Sequence, residues 1–222
     1  MFELSIDLDK MLSIYIFTFN PLQENSYILA AENNECWIID PGCYDREEQT
    51  ELFEFIASKK LLPVKVINTH CHVDHVLGNA AVKRKYNIPL LIHPMEEYYL
   101  RAVTAYAPNY GFVAYEPAEP DEFLDIKVPM DLNGHTIQLL FVPGHSAGHI
   151  ALYNAEQNFC IAGDVLFRQS IGRTDLPGGN HEQLLQSIRT QLFTLPPQTV
   201  VYPGHGPETT IEFEKRYNPF FA

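Results

Sequence analysis

His70, His72, Asp74 and His75 all fall within the seven residues Thr69-His70-Cys71-His72-Val73-Asp74-His75. Imidazole nitrogen and carboxylate oxygen are the donors that borderline divalent ions such as zinc prefer. One histidine on its own reads as a satisfied core residue. Four metal-competent side chains in six positions call for a shared purpose, and metal coordination is the chemistry they have in common. The apolar run Val64-Lys65-Val66-Ile67 leads into the cluster and a helix-like stretch over 76–86 leads out. The ligands are therefore expected on a strand-to-helix loop, where side chains converge and still face solvent.

Thr-His-x-His-x-Asp-His resembles the metal-binding motif of the metallo-β-lactamase-fold hydrolases. The chain has a candidate for each further ligand of that family: His145 in Val142-Pro143-Gly144-His145-Ser146, Asp164 in Ile161-Ala162-Gly163-Asp164, and His205 in Tyr202-Pro203-Gly204-His205-Gly206. Each follows an apolar run and a glycine, which lets the backbone turn sharply as it leaves a sheet. The resemblance extends from about Asn25 to the C-terminus. It implies two adjacent divalent ions, with His70, His72 and His145 on the first and Asp74, His75 and His205 on the second. Asp164 bridges both, and Asp74 and Asp164 are the candidate catalytic carboxylates. In that family arrangement a water between the ions becomes a hydroxide near neutral pH, and the second ion polarises the substrate carbonyl. Zinc is the expected metal; a mixed N/O site also accepts iron or manganese.

The elements that must position these residues are legible as runs. Strands are expected over 13–19, 26–31 and 36–40, with Glu32-Asn33-Asn34-Glu35 turning between the last two. Asp45 reads as a helix N-cap with Glu48 three positions on, followed by the apolar face of Leu52, Phe53 and Ile56. A strand over 64–68 delivers the metal loop. Residues 94–131, rich in tyrosine and proline, read as a short helix over 95–105 and then an irregular excursion. That segment is expected either as a lid or wall over the metals or as aromatic packing around a loop. Strands over 135–142, 150–153, 159–162 and 199–202 and a helix over 181–193 complete the pattern. It is an α/β fold of two packed mixed sheets with helices outside, which the resemblance names as the four-layer αβ/βα sandwich.

The 222 residues suit a single domain spanning 1–222, with residues 1–10 a candidate extension before Met11. No apolar run approaches the ~20 residues of a membrane span, and the N-terminus has no basic and apolar signal pattern. A cytoplasmic enzyme is the expectation. The net charge of −13 argues against nucleic acid as a partner, although bound divalent ions reverse the sign locally. Cys36, Cys43, Cys71 and Cys160 lack paired spacing and read as reduced thiols. Cys71, between two histidines on an extended segment, should point away from them.

Downstream of Asp164, Ile171-Gly172-Arg173-Thr174-Asp175 and Pro177-Gly178-Gly179, with Pro203-Gly204-His205-Gly206 and Thr209-Thr210-Ile211, resemble the short glyoxalase II-like hydrolases. That resemblance implies a small-molecule thioester substrate such as S-lactoylglutathione. The chain departs from the longer enzymes in having Arg173 and Asp175 where they carry Lys and Tyr, and in ending without their helical domain. Arg173 is expected either to bind a substrate carboxylate or to form a buried salt bridge with Asp175. Asp40 reads as a residue that orients a ligand, or as a turn cap, and His149 as structural or orienting rather than ligating. The rival readings in the same fold are a mononuclear iron persulfide dioxygenase, a lactonase and a β-lactamase.

Overall fold

The computed structural model describes residues 11–221, so the expectation for residues 1–10 lies outside the described residues. The first sheet has the order β1 (Ser13–Phe19), β2 (Glu24–Ala30), β3 (Glu35–Ile39), β4 (Leu62–Ile67), β5 (Leu90–Ile92) and β6 (Glu122–Phe123). Its first three strands are antiparallel neighbours, and β3 to β6 run parallel. Helices α1 (Arg46–Ser58), α2 (Val73–Val76), α3 (Asn79–Tyr86) and α4 (Glu97–Tyr106) connect its strands. The second half supplies β7 (Met130–Leu132), β8 (His135–Phe141), β9 (Ile150–Asn154), β10 (Phe159–Gly163), the short hairpin β11 (Leu166–Phe167) and β12 (Ser170–Ile171), then α5 (His181–Ser187), β13 (Val200–Pro203), β14 (Thr209–Thr210) and α6 (Ile211–Tyr217). The second sheet has the order β14-β13-β10-β9-β8-β7, with one parallel pair, β10 and β13.

Strand alternation sorts the side chains into three buried layers. Ile28, Cys36, Ile38, Val66 and Ile92 face the helices of the first half. Tyr27, Leu29, Trp37, Ile39 and Ile67 face the second sheet, where they meet Ile137, Ile150, Leu152 and Ile161. Ala151, Cys160, Ala162 and Val201 pack with Leu184, Ile188 and Ile211 beneath α5 and α6. Two mixed sheets with helices on both outer faces are the αβ/βα sandwich the sequence resemblance implied. Among the described residues, no helix is long and apolar enough to cross a membrane.

Several boundaries differ from the sequence expectation. The helix expected from 76 starts at Val73, so Asp74 and His75 are in the helical turn α2 rather than on the loop. Gly78, between α2 and α3, packs so closely on the 41–43 turn that a Cβ there would press on Cys43 Sγ and Pro41 O. Asp45 caps α1 by accepting from the amides of Glu47 and Glu48. Glu48 does not close a capping box; its carboxylate accepts from Tyr44 N and Asn20 N, tying α1 to the β1–β2 turn. The segment over 94–131 is only half an excursion. Its first half is α4 flanked by two 3-10 turns, and its second half supplies β6 and β7, edge strands of the two sheets.

Candidate metal centre

The histidines and aspartates leave the sheets at one rim. His70 and His72 follow β4, His145 follows β8, Asp164 follows β10 and His205 follows β13. The glycines before the last three do different work. Gly144 and Gly163 have φ of 132° and 52°, where a side chain is strained. Gly204 is required by space, since a Cβ there would land on Asp164 Oδ1.

All seven sequence-predicted ligand residues meet at this rim in two sets. In the first, His145 Nε2 lies 2.8 Å from His72 Nδ1 and 3.3 Å from His70 Nε2. In the second, His205 Nε2 lies 3.1 Å and His75 Nε2 3.7 Å from Asp74 Oδ2. Within each set the donor atoms are no more than 4.8 Å apart. Asp164 touches both: Oδ1 is 3.4 Å from His75 Nε2, and Oδ2 is 3.5 Å from both His145 Nε2 and His205 Nε2.

The hydrogen bonds behind the rings decide what the front atoms offer. His145 Nδ1 donates to Arg173 O at 2.7 Å, and His205 Nδ1 donates to Gln23 O at 3.1 Å. His75 Nδ1 donates to Asp40 Oδ2 at 3.2 Å. Thr69 Oγ1 gives its proton to the same Asp40 oxygen and accepts from His70 Nδ1 at 3.1 Å. Four imidazoles therefore spend their proton at Nδ1 and present a bare Nε2 lone pair inward. Lone pairs this close repel each other unless a cation lies between them. Consistently, buried His75 Nε2 and Asp164 Oδ1 have no hydrogen-bond partner. Ligands 2.0–2.1 Å from a tetrahedral zinc sit roughly 3.3–3.4 Å from one another, close to the spacings here. The donor set fits divalent metal ions.

The electrostatics agree. Burial, reinforced by neighbouring imidazoles, holds His70 well below its ordinary pKa and His72 down at about 3. Burial would also depress His75, but Asp164 and Asp74 outweigh it and raise that ring well above normal. His205 is raised in the same way, burial being overcome by the Asp74 and Asp164 carboxylates close to its Nε2. Burial works against the charge on Asp164, yet His75, His145 and His205 hold it below the usual carboxylate range. The second set thus demands positive charge, which a divalent ion supplies better than a proton.

Asp40 takes the orienting role. It accepts from Thr69 N at 2.7 Å, from Thr69 Oγ1 and from His75, from a backbone at φ 48°. His149 stacks on His70 with ring centroids 4.6 Å apart, and its Nε2 accepts the amide of Asp164 at 3.1 Å. Cys71 is fully buried in the helix-side core, as its position between outward ligands predicted.

Sequence reasoning missed two clamps. Glu96, fully buried at the start of α4, accepts from Cys71 N at 2.8 Å, Ser146 Oγ at 2.5 Å and Gly148 N at 2.7 Å. It thereby fastens the His70–His72 loop to the His145 loop. Asn25 donates through Nδ2 to Pro203 O and Gly206 O, and its own amide donates to Gly204 O, fixing the His205 loop. The signal available was a charged residue before a helix and a polar residue inside a strand, neither of which is specific.

The centre floors a cleft of about 880 Å³. One wall is α4 and the turn after it, with Tyr98, Tyr99, Tyr106 and Tyr110; Phe167 and Leu176 stand in other parts of the lining. Arg173 also lines the cleft, but its fork is bound bidentately to Asp175 at 2.7 Å and 2.7 Å. Both side chains are mostly exposed, so the salt bridge that was one of the two readings of Arg173 is present as a solvent-exposed pair rather than a buried one.

Comparison with known proteins gives a consistent result. The family described as the metallo-beta-lactamase superfamily matches residues 19–205. The chain is 37% identical to the probable metallo-hydrolase YqgX of Bacillus subtilis, over 90% of this chain and 93% of that protein. It is 31% identical to the hydroxyacylglutathione hydrolase GloC of Haemophilus influenzae, over 94% of this chain and 98% of that protein. Among solved structures it is similar to the BLEG-1 B3 metallo-beta-lactamase, with 34% identity, TM-score 0.86, and 95% and 100% of the two chains covered. It is also similar to TTHA1623 in a di-iron-bound form, with 37% identity, TM-score 0.83, and 93% and 99% covered.

Proposed function

Because the chain belongs to the metallo-β-lactamase superfamily, we propose that this metal-dependent hydrolase is a glyoxalase II-like thioesterase with two divalent ions. The observation that carries the reading is the pairing of two complete three-donor sets with Asp164 in reach of both, at the floor of the cleft. The likeness to GloC supports thioesters as the substrates. The likeness to a B3 metallo-beta-lactamase makes β-lactams the second class to assay.

His70, His72 and His145 would hold one ion, Asp74, His75 and His205 the other, with Asp164 between. Bound there, the ions would supply Lewis acidity, lowering the pKa of water to around 7 and polarising a carbonyl. The chain's own contribution is to hold the rings in one tautomer through Asp40, Thr69, Arg173 O and Gln23 O, so that no ligand has to reorient. The tyrosine wall bounds one side of the cleft, and burial raises the pKa of the Tyr106 hydroxyl there.

The test combines metal content of protein purified without chelator with hydrolysis of thioesters and β-lactams. Two ions per chain and thioester cleavage are expected, and Asp164→Ala is expected to lose metal and activity together. Full activity of Asp164→Ala with both ions retained would refute the assignment. A single iron per chain with oxygen consumption on a persulfide would point to a dioxygenase.

A further inference from the structure

We propose that the cleft beside the metal centre is an apolar acyl subsite, and that the preferred substrates are uncharged thioesters carrying an aromatic or medium-chain aliphatic group. The inference rests on the thioesterase reading and specifies its substrate class. Apart from His72, Asp74, His145, Asp164 and His205 of the candidate metal centre, and Arg173, the cleft walls are neutral. The α4 side presents Tyr98, Tyr99, Tyr106 and Tyr110, and other parts of the lining are Leu22 and Phe167. Among the described residues, Arg173 is the one permanent cation in the lining.

Arg173 is already engaged. Its Nε and Nη2 meet the two oxygens of Asp175, two positions along the chain. An exposed pair of this kind is weak in itself. Its carboxylate is nonetheless tethered at a high effective concentration, against which a substrate carboxylate must compete from solution. A carrier such as glutathione brings two carboxylates to walls that offer one occupied guanidinium, on a chain whose net charge is −13. An apolar group meets the opposite circumstance. Tyr98, Tyr110 and Leu22 leave large apolar surface exposed, 73%, 48% and 41% respectively, and all three line this cleft. Exposed apolar surface gathered around a concave polar floor is the usual form of a small-molecule site.

The wall is built rather than loose. A Cβ on Gly178, which sits at φ 87°, would strike the Tyr99 hydroxyl, so the 172–179 loop is seated against α4. Tyr98 packs edge-on to Tyr99 at 5.5 Å, and Tyr106 packs on Tyr110 at 6.0 Å. In the reaction, water oxygen bonds to the thioester carbonyl carbon and the C–S bond breaks. Sulfur leaves with the electron pair and takes one water proton, giving a carboxylic acid and a free thiol.

The test uses the full chain loaded with metal and the N-acetylcysteamine thioesters of acetate, hexanoate and phenylacetate, beside hexanoylglutathione. From acetyl to hexanoyl or phenylacetyl, kcat/KM is expected to rise at least tenfold, and hexanoyl-N-acetylcysteamine should equal or exceed hexanoylglutathione. Tyr98→Ser, at a site exposed enough to spare the fold, should reduce the hexanoyl-to-acetyl ratio at least threefold with metal content maintained. A flat response to chain length, or a tenfold preference for the glutathione ester, would overturn the proposal and leave the thioesterase reading standing. If protein holding two ions cleaves no thioester, the thioesterase reading fails, and calorimetry with the thioether S-hexyl-N-acetylcysteamine decides the subsite. Binding that Tyr98→Ser weakens tenfold supports it; absence of binding overturns it.

Discussion

Glu96 shows how much one carboxylate can hold. Its Oε1 accepts from Ser146 and Gly148, and its Oε2 from Cys71. Gln at this position keeps one acceptor oxygen but turns an NH2 toward the Cys71 amide, leaving donor against donor in a buried place. That costs about 1–3 kcal/mol. Glu96→Gln is therefore expected to weaken metal binding at the His70, His72 and His145 set by at least tenfold, read by chelator competition, while the second set keeps its ion. Asn25→Ala should do the reverse. It removes two side-chain hydrogen bonds from the His205 loop, so metal analysis should find the ion of the second set depleted first. Asp40 is the third case. Asn tolerates its left-handed backbone, so Asp40→Asn tests the charge with the conformation conserved, and should lower both metal retention and stability.

At the scale of elements, the candidate ligands were legible because their residue types are rare and clustered, and the long strands because β1 is rich in Ile, Tyr and Phe and β8 alternates Ile137, Leu139 and Phe141 with polar Thr136 and Gln138 and with Leu140. The short strand β5 and the edge strands β6, β7 and β14 span two or three residues, too few for a period to register, and owe their existence to the neighbours they pair with. The clamps were hidden for a related reason: Glu96 is 25 positions from Cys71 and 50 from Ser146, so only the packed fold brings them together. The same holds for Arg173, whose side chain suggested substrate binding while its carbonyl turned out to orient His145. Gly204 gives an element-level prediction. A methyl group there collides with Asp164, so Gly204→Ala should displace the β13 turn and cut kcat at least a hundredfold, alongside a measured loss of metal.

For the molecule as a whole, the metal centre sets the response to pH and chelators. His70, His72, His145 and His149 are held below their unfolded pKa by burial. Below about pH 6.5 the unfolded chain binds protons that these folded rings refuse, so stability falls as pH drops, for His72 down to about pH 3. His75 and His205, raised by Asp164 and Asp74, oppose this, but they are two against four. Urea unfolding of the chelated protein should therefore show a loss of roughly 2 kcal/mol or more between pH 7 and pH 5. The loaded protein should unfold at a higher temperature than the chelated one at pH 7, by mass action. All the chemistry lies on one rim of the sandwich. At the other, Asn33 bonds Asn133 across the sheets, and His135 stands between Glu32 and Glu156. Catalyst and seam are thus separated by the length of the strands. A fluorophore, affinity handle or second protein grafted into the 133–134 turn would ride on the seam, giving an immobilised catalyst whose mouth still faces the solution.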